Sequence, residues 1–325
     1  MSSALIRISA FAALLATFAL PIAAQDFPTK PIKILVGYST GGPTDVIARI
    51  LAQEMSVSLG QSVLVENRTG ASGNIATEAV AKGKPDGYTL VASTLAHNIN
   101  PLLLTNTTKY DPIRDFAPVS LAVVLPQLVV VSYDSPFNSL ADIIKQAKAS
   151  PGSVTYGSAG VTGSSHLASA LLAHQSGAQF TPVPFRGNAP ALTEVMAGRV
   201  SFMFYPMIGI SGFVQDKRLR PLAVTTAKRH PDFPNVATTG EQGLTGFDEY
   251  VGGVGLLTTA GTPPAIVQKL SAAARAALRK PAVRDQLSGM GAIVVGSTPE
   301  EFTEWMKADA ERWAQLIKTA NIKGE

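Results

Sequence analysis

Val36-Gly37-Tyr38-Ser39-Thr40-Gly41-Gly42-Pro43-Thr44-Asp45 joins the apolar run Ile32–Val36 to a segment with Ile47, Ile50, Leu51 and Met55 at helical spacing. A buried strand, a glycine turn and a helix in that order open an α/β unit. Gly41 and Gly42 remove side chains where a ligand can approach the backbone. Pro43 suits the first helical turn, where its missing N–H is no loss. The N–H groups left free there, together with the helix dipole, favour an anion. In an open parallel sheet this place lies at the carboxyl ends of the strands, where ligands bind. An ordinary tight turn without a ligand is the competing reading.

Outward from this stretch the strand–helix rhythm repeats. Val63-Leu64-Val65 is the next strand, a helix starts near Asn74, and the turn Lys84-Pro85-Asp86-Gly87 feeds a strand from Tyr88 to Ala92. This order predicts a parallel sheet with right-handed crossovers. A second unit begins near Gln127–Val131 and runs through the helix Leu140–Ala149, the strand Val154–Tyr156, a helix from His166 to Ser176, the strand around Thr181–Phe185, a helix around Pro190–Ala197 and the strand Arg220–Val224. Thr226–Gly246 has the Pro, Gly and Thr content of a crossing segment. Gly252–Leu257 returns as a strand, and three helical patterns, Pro264–Ala277, Ala282–Met290 and Pro299–Ala320, close the chain. Two domains are therefore expected, residues 25–125 with 250–325, and residues 126–249.

The N-terminus addresses the compartment. Arg7 precedes an apolar stretch from Ile8 to Leu20, followed by Pro21 and the small pair Ala23-Ala24. That is the layout of a signal peptide, residues 1–24, cleaved after Ala24; the apolar core is too short for a membrane anchor, which takes roughly 18–20 residues. The expected location is the periplasm. No cysteine is present, which excludes disulfides, thiolate metal sites and cysteine nucleophiles. The formal charge of +4 falls to +3 without Arg7, a mild excess with no basic runs, so nucleic acid is not an expected partner. Four scattered histidines without paired spacing give no metal site, and no cofactor motif is present.

Gly37-Tyr38-Ser39-Thr40-Gly41 also matches the G-x-S-x-G nucleophile elbow between a strand and a helix, the alternative being a serine esterase acting through Ser39. Against it, no earlier strand–helix loop supplies a second oxyanion donor, and Gly42-Pro43 suits a backbone cradle better than a strained serine. Binding without catalysis is the expectation. A matching half-site follows in the second unit, where Tyr156-Gly157-Ser158-Ala159-Gly160 leaves a strand and Thr162-Gly163-Ser164-Ser165-His166 opens a helix. Ser164 or Ser165 serves as an N-cap in the purely structural reading. Ser93, Thr94, His97, Asn98 and Asn100 follow the third strand at the same end of the first sheet. Arg186, after Val183-Pro184-Phe185, offers a guanidinium fork to a carboxylate or lies on the surface beside a turn.

From Phe27 onward the chain resembles the Bug receptors, the TctC-like substrate-binding proteins of tripartite tricarboxylate transporters. The resemblance rests on Lys30-Pro31-Ile32, Gly41-Gly42-Pro43-Thr44-Asp45 with Ala48-Arg49, Val65-Glu66-Asn67-Arg68 with Gly70-Ala71-Ser72-Gly73, and Pro85-Asp86-Gly87-Tyr88-Thr89-Leu90. It continues in Tyr110-Asp111-Pro112, Tyr156-Gly157-Ser158, Val183-Pro184-Phe185-Arg186-Gly187, Leu222-Ala223-Val224-Thr225 and Gly261-Thr262-Pro263. It implies a two-domain Venus-flytrap α/β fold of the type II periplasmic binding proteins, each domain a sheet flanked by helices, with two interdomain crossings and a small carboxylate in the cleft. It places Tyr38, Thr40, Gly41, Gly42, Thr44, Ala71, Ser72 and Gly73 at the ligand from the first domain, and Ser158, Gly163, Ser164 and Ser165 from the second. It implies a monomer whose partner is a pair of permease subunits or a sensor kinase. Amino-acid-binding members carry an aspartate after the Met-Phe pair of a second-domain strand; this chain has Met203-Phe204-Tyr205. Without that acid a buried ammonium would lose about 3–5 kcal/mol, so a non-amino carboxylate is expected, with Tyr205 and Tyr38 offering flat surface to an aromatic or medium-length dicarboxylate.

Overall fold

The computed structural model describes residues 27–323; the signal peptide read at residues 1–24 lies outside them. Among the described residues no helix is long and apolar enough to cross a membrane. The first sheet has six strands in the order β11-β4-β10-β3-β1-β2. Its strands are β1 (Ile32–Val36), β2 (Val63–Asn67), β3 (Thr89–Ser93), β4 (Phe116–Leu125), β10 (Gly252–Thr259) and β11 (Ile293–Val294). Parallel pairing, expected throughout, holds for β1 with β2 and β3. β10 runs antiparallel to both β3 and β4 because it returns from the second domain and not through a crossover helix.

Helix α1 (Pro43–Leu59) covers this sheet. It buries Ile47, Leu51 and Met55 against Ile32, Ile34 and Val36 in one core, each large side chain contributing about 1.5–3 kcal/mol. Gly60 ends it in the left-handed conformation, φ 67°, that glycine adopts without strain. α2 (Asn74–Ala81) follows β2, and α3 (Ala96–Leu103) follows β3. α8 (Pro264–Arg279), α9 (Pro281–Gly289) and α10 (Pro299–Thr319) close the chain. α10 opens on a capping box between Thr298 and Glu301. Its buried Asp309 accepts from Trp313 Nε1 and Arg312, and from Asn98 Nδ2 on α3 at 3.1 Å.

The second domain is built round a three-stranded sheet, β5 (Gln127–Ser132) between β8 (Met203–Pro206) and β9 (Leu219–Val224), both antiparallel to it. A parallel pair, β6 (Thr155–Ser158) and β7 (Thr181–Pro184), lies beside it. α4 (Leu140–Ala149), α5 (Ser164–Ser176), α6 (Asn188–Met196) and the short α7 (Ser211–Gln215) complete it. The chain leaves the first sheet at Leu125 and returns at Gly252, and these two residues are paired across β4 and β10. Gln127 and Thr225 clasp the far side of the crossing, exchanging backbone and side-chain bonds at 2.8 and 2.9 Å.

Candidate functional site

A cavity between the domains is lined by Tyr38, Gly42, Pro43 and Thr44 from the loop before α1 and its first turn, and by Thr94 and Leu95 after β3. The second domain contributes Ala159, Gly163, Ser164, Asn188 and Pro206, while Leu125, Gly252, Gly253 and Val254 form the wall at the crossing. Its volume is about 40 Å³ counted at water centres, several times the minimum for one water. Three helices begin on it. α1, α5 and α6 start from Gly42, Gly163 and Gly187, and none has a side-chain cap. Apart from Pro43, which has no N–H, their first residues meet no capping side chain, and three positive dipole ends meet at one place. Among the described residues no charged side chain lines the cavity.

The loop Tyr38–Gly41 is held from behind. Asp45, with its side chain 2% exposed, accepts from the Gly41 amide, Arg49 Nε and Asn67 Nδ2, each at 2.9 Å. Asn67 Nδ2 also donates to the Tyr38 carbonyl at 3.0 Å, and Asn67 Oδ1 accepts from Thr40. Burial alone would raise the Asp45 pKa, but the bonds from Arg49, Gly41 and Asn67 outweigh it and bring the carboxyl below its ordinary value. Tyr38 lies over Gly73, its hydroxyl 3.1 Å from Thr94 Oγ1 and 3.3 Å from the Ser72 carbonyl. Burial pushes that phenol up, so it is neutral and able to donate. Ser165 Oγ donates to Asn188 Oδ1 at 3.0 Å and ties the starts of α5 and α6 together.

The cleft is shut by direct contacts. The Ser39 amide donates to the Arg186 carbonyl at 3.1 Å, and Thr162 Oγ1 donates to Asn100 Oδ1. Ser39 packs on Gly187 and Ser72 on Gly160, so close that a Cβ on either glycine would collide with the opposing hydroxyl.

Of the residues expected at the ligand, Tyr38, Gly42, Thr44, Thr94, Gly163 and Ser164 line the cavity. Ser39 is spent on the interdomain contact, while Thr40 and Gly41 are exposed in the loop that Asp45 and Asn67 hold. Ala71, Ser72 and Arg186 line an outer groove, the Arg186 side chain exposed and only its carbonyl engaged at the cleft. Gly73 and His97 border a smaller space behind Tyr38. Ser93 and Ser158 are buried at the ends of β3 and β6, and Ser165 acts through Asn188. Tyr205 faces the core: strand alternation puts it with Leu128 and Val130, and its neighbour Pro206 meets the cavity instead. Asn188, the one side-chain amide in the lining, escaped the sequence reading. It follows Gly187 at a helix start, the same pattern as Gly42-Pro43 and Gly163-Ser164.

The nucleophile reading of Ser39 does not survive. Its hydroxyl is buried without a partner and its backbone is not left-handed. His97 Nε2 is engaged by the Pro112 carbonyl at 2.7 Å, and its ring stacks on Tyr110. Burial holds His97 and His166 neutral, with pKa values of about 4. The unfolded chain therefore binds protons below pH 6.5 that the folded His166 refuses, and stability falls as pH drops from 6.5 toward 4. By pH 5 this one residue costs about 2 kcal/mol relative to neutral pH. Urea titrations at pH 7 and 5 should show a pH-dependent loss smaller by that amount in His166→Gln; equal losses in both proteins would refute it.

Comparison with known proteins agrees with this geometry. Residues 47–322 match the family described as the tripartite tricarboxylate transporter family receptor. The UPF0065 protein in the tcbD-tcbE intergenic region of a Pseudomonas species is 38% identical over 90% of this chain and 86% of its own. Protein BugT of Bordetella pertussis is 32% identical over 95% and 94%. Among solved structures, a Rhodopseudomonas palustris protein with adipate superposes with a TM-score of 0.87 at 33% identity, covering 92% of this chain and all of that one. MatC from Rhodopseudomonas palustris with bound malate gives 0.85 at 30% identity, over 90% of this chain and all of that one. The family is one of receptors and not of enzymes, and by sequence and fold alike the chain belongs to the periplasmic receptors of the tripartite tricarboxylate transporter family.

Proposed function

We propose that the protein captures a small aliphatic dicarboxylate without an amino group, holding it between two domains, residues 25–125 with 250–325 and residues 126–249, for delivery to the permease subunits of a tripartite tricarboxylate transporter. The observation that carries this is the meeting of three glycine-started, side-chain-uncapped helix N-termini on a cavity with no charged lining. Such a site offers backbone donors to an anion and no counter-ion to an ammonium. Leu95, Leu125 and Val254 give the carbon skeleton an apolar wall. The relatives solved with malate and adipate support this ligand class. Tyr205 lies outside the cavity and Tyr38 is tied to Thr94 and Ser72, so the apolar wall of Leu95, Leu125 and Val254 favours an aliphatic skeleton over an aromatic one. Residues 1–24 are proposed to direct export and be removed, so that the periplasmic protein begins at Gln25; sequencing the N-terminus of the exported protein tests this.

The functional test is calorimetry and thermal shift on refolded protein with succinate, malate, glutarate and adipate, their diamides, and aspartate. A diacid at a hundred times its dissociation constant should stabilise the fold by about 2.7 kcal/mol, and its diamide should not. Aspartate should bind at least roughly tenfold more weakly than malate, a difference of about 1.4 kcal/mol. A diamide as effective as its acid, or aspartate bound more tightly than malate, would sink the proposal.

A further inference from the structure

Strand β10 carries three glycines close together, Gly252, Gly253 and Gly255. Two of them have a structural reason. A Cβ on Gly253 would stand 2.8 Å from Leu121 Cδ1 and 3.1 Å from Trp305, and one on Gly255 would collide with Phe302, so α10 packs directly on that face of the strand. Gly252 points to the opposite face. Its backbone is not left-handed. The nearest atoms to a Cβ there would be Ser164 Cβ at 3.5 Å, and Leu95 Cβ and Ser164 Oγ at 3.8 Å, ordinary van der Waals distances. Glycine inside a strand weakens it and packs nothing, and its usual justification is a bulge, a bend or the close approach of another group. The fold does not require glycine at 252, but the cavity that it borders does use the space.

We infer that Gly252 is a specificity-determining residue: the missing side chain, between Leu95 and Ser164, sets the longest acid that the cleft accepts. The inference rests on the carboxylate reading of the same cavity. A methyl group at 252 would fill the wall at the crossing, meeting Ser164 at the start of α5 only at van der Waals distance and removing no backbone donor. It shortens the space without altering the charge that the ligand meets.

The test measures dissociation constants for succinate, glutarate, adipate and pimelate in the unaltered protein, in Gly252→Ala, and in Gly252→Ala combined with Leu95→Ala. The readout is the ratio between the longest acid that the unaltered protein binds and the next shorter one, taken within each preparation. That ratio is insensitive to a general loss of folded protein. Gly252→Ala is expected to shift it at least tenfold against the longer acid, and Leu95→Ala to shift it back by reopening the same wall. A loss spread evenly over all lengths overturns the inference and leaves the carboxylate reading standing. Failure of the unaltered protein to bind any diacid overturns both. A Gly252→Ala chain that does not fold also overturns it, because it would contradict the free space at that position.

Discussion

Replacing Gly187 with alanine is expected to weaken ligand binding roughly a hundredfold, about 2.7 kcal/mol, while leaving the melting temperature of the ligand-free protein nearly unchanged. Gly187 is extended, φ 160° and ψ 169°, so alanine brings no backbone strain. The obstacle lies across the cleft. The added Cβ would collide with Ser39 Oγ and stand 3.0 Å from the Ser39 amide nitrogen. The hydroxyl can rotate away, but the amide cannot, because it is the donor to Arg186 that holds the domains together. In the open form that a Venus-flytrap fold implies, the two residues would be apart and the methyl group would meet nothing. The substitution therefore acts on closure alone, and a ligand shifts that equilibrium only by its preference for the closed form. Calorimetry on the variant, with Ser39→Gly as a partial suppressor, checks this. Unchanged affinity would show that the ligand is held without the Ser39–Gly187 contact.

Asp45→Ala is expected to cost about 3 kcal/mol of stability and to lower affinity by at least as much as any single cavity-lining substitution. The carboxylate is buried and gathers three donors, the Gly41 amide, Arg49 and Asn67; alanine leaves all three without their acceptor. The loss propagates forward, since Asn67 fixes Tyr38 and Thr40, and Gly41 sets the approach to the first turn of α1. Asp45→Asn should be nearly as harmful, because its amide nitrogen would face a donor. The pH dependence follows from the lowered pKa. The stabilisation is complete above the ordinary aspartate range and is lost as pH falls through the lower folded value. Urea unfolding at pH 7 and pH 3.5 separates the outcomes: a variant as stable as the parent at pH 7 would show that the network is dispensable.

Much of this was legible in the sequence. The glycine turn after Val36 announced the strand–helix junction, because glycine and proline constrain backbone locally and leave a readable trace. β4 was not foreseen. Phe116–Leu125 carries Pro118 and is buried over much of its length, so it shows neither alternation nor helical period. α3 was missed for a different reason. Ala96–Leu103 contains Asn98, Asn100 and Pro101, weak helix formers, and is secured by bonds to Asp309, Asn74 and Ser72 that no local pattern contains. Tyr205 shows the limit of reading a side chain from its chemistry alone. An amphipathic ring next to the cleft was reasonable for a ligand, but the register of β8 against β5 turns it inward and presents Pro206.

The pairing of Leu125 with Gly252 makes the two crossing strands a single fulcrum. Both residues also line the cavity, so on the proposed function one end of a bound diacid would rest almost on the axis of a closing rotation while the other lay out along the arms. Near a fulcrum a swing of a few degrees moves atoms very little, and the wall there works as a fixed gauge of length. At the tips, where Gly187 meets Ser39 and Gly160 meets Ser72, the same swing makes or breaks every contact. A receptor built this way would measure its cargo at the pivot and report the result at the rim.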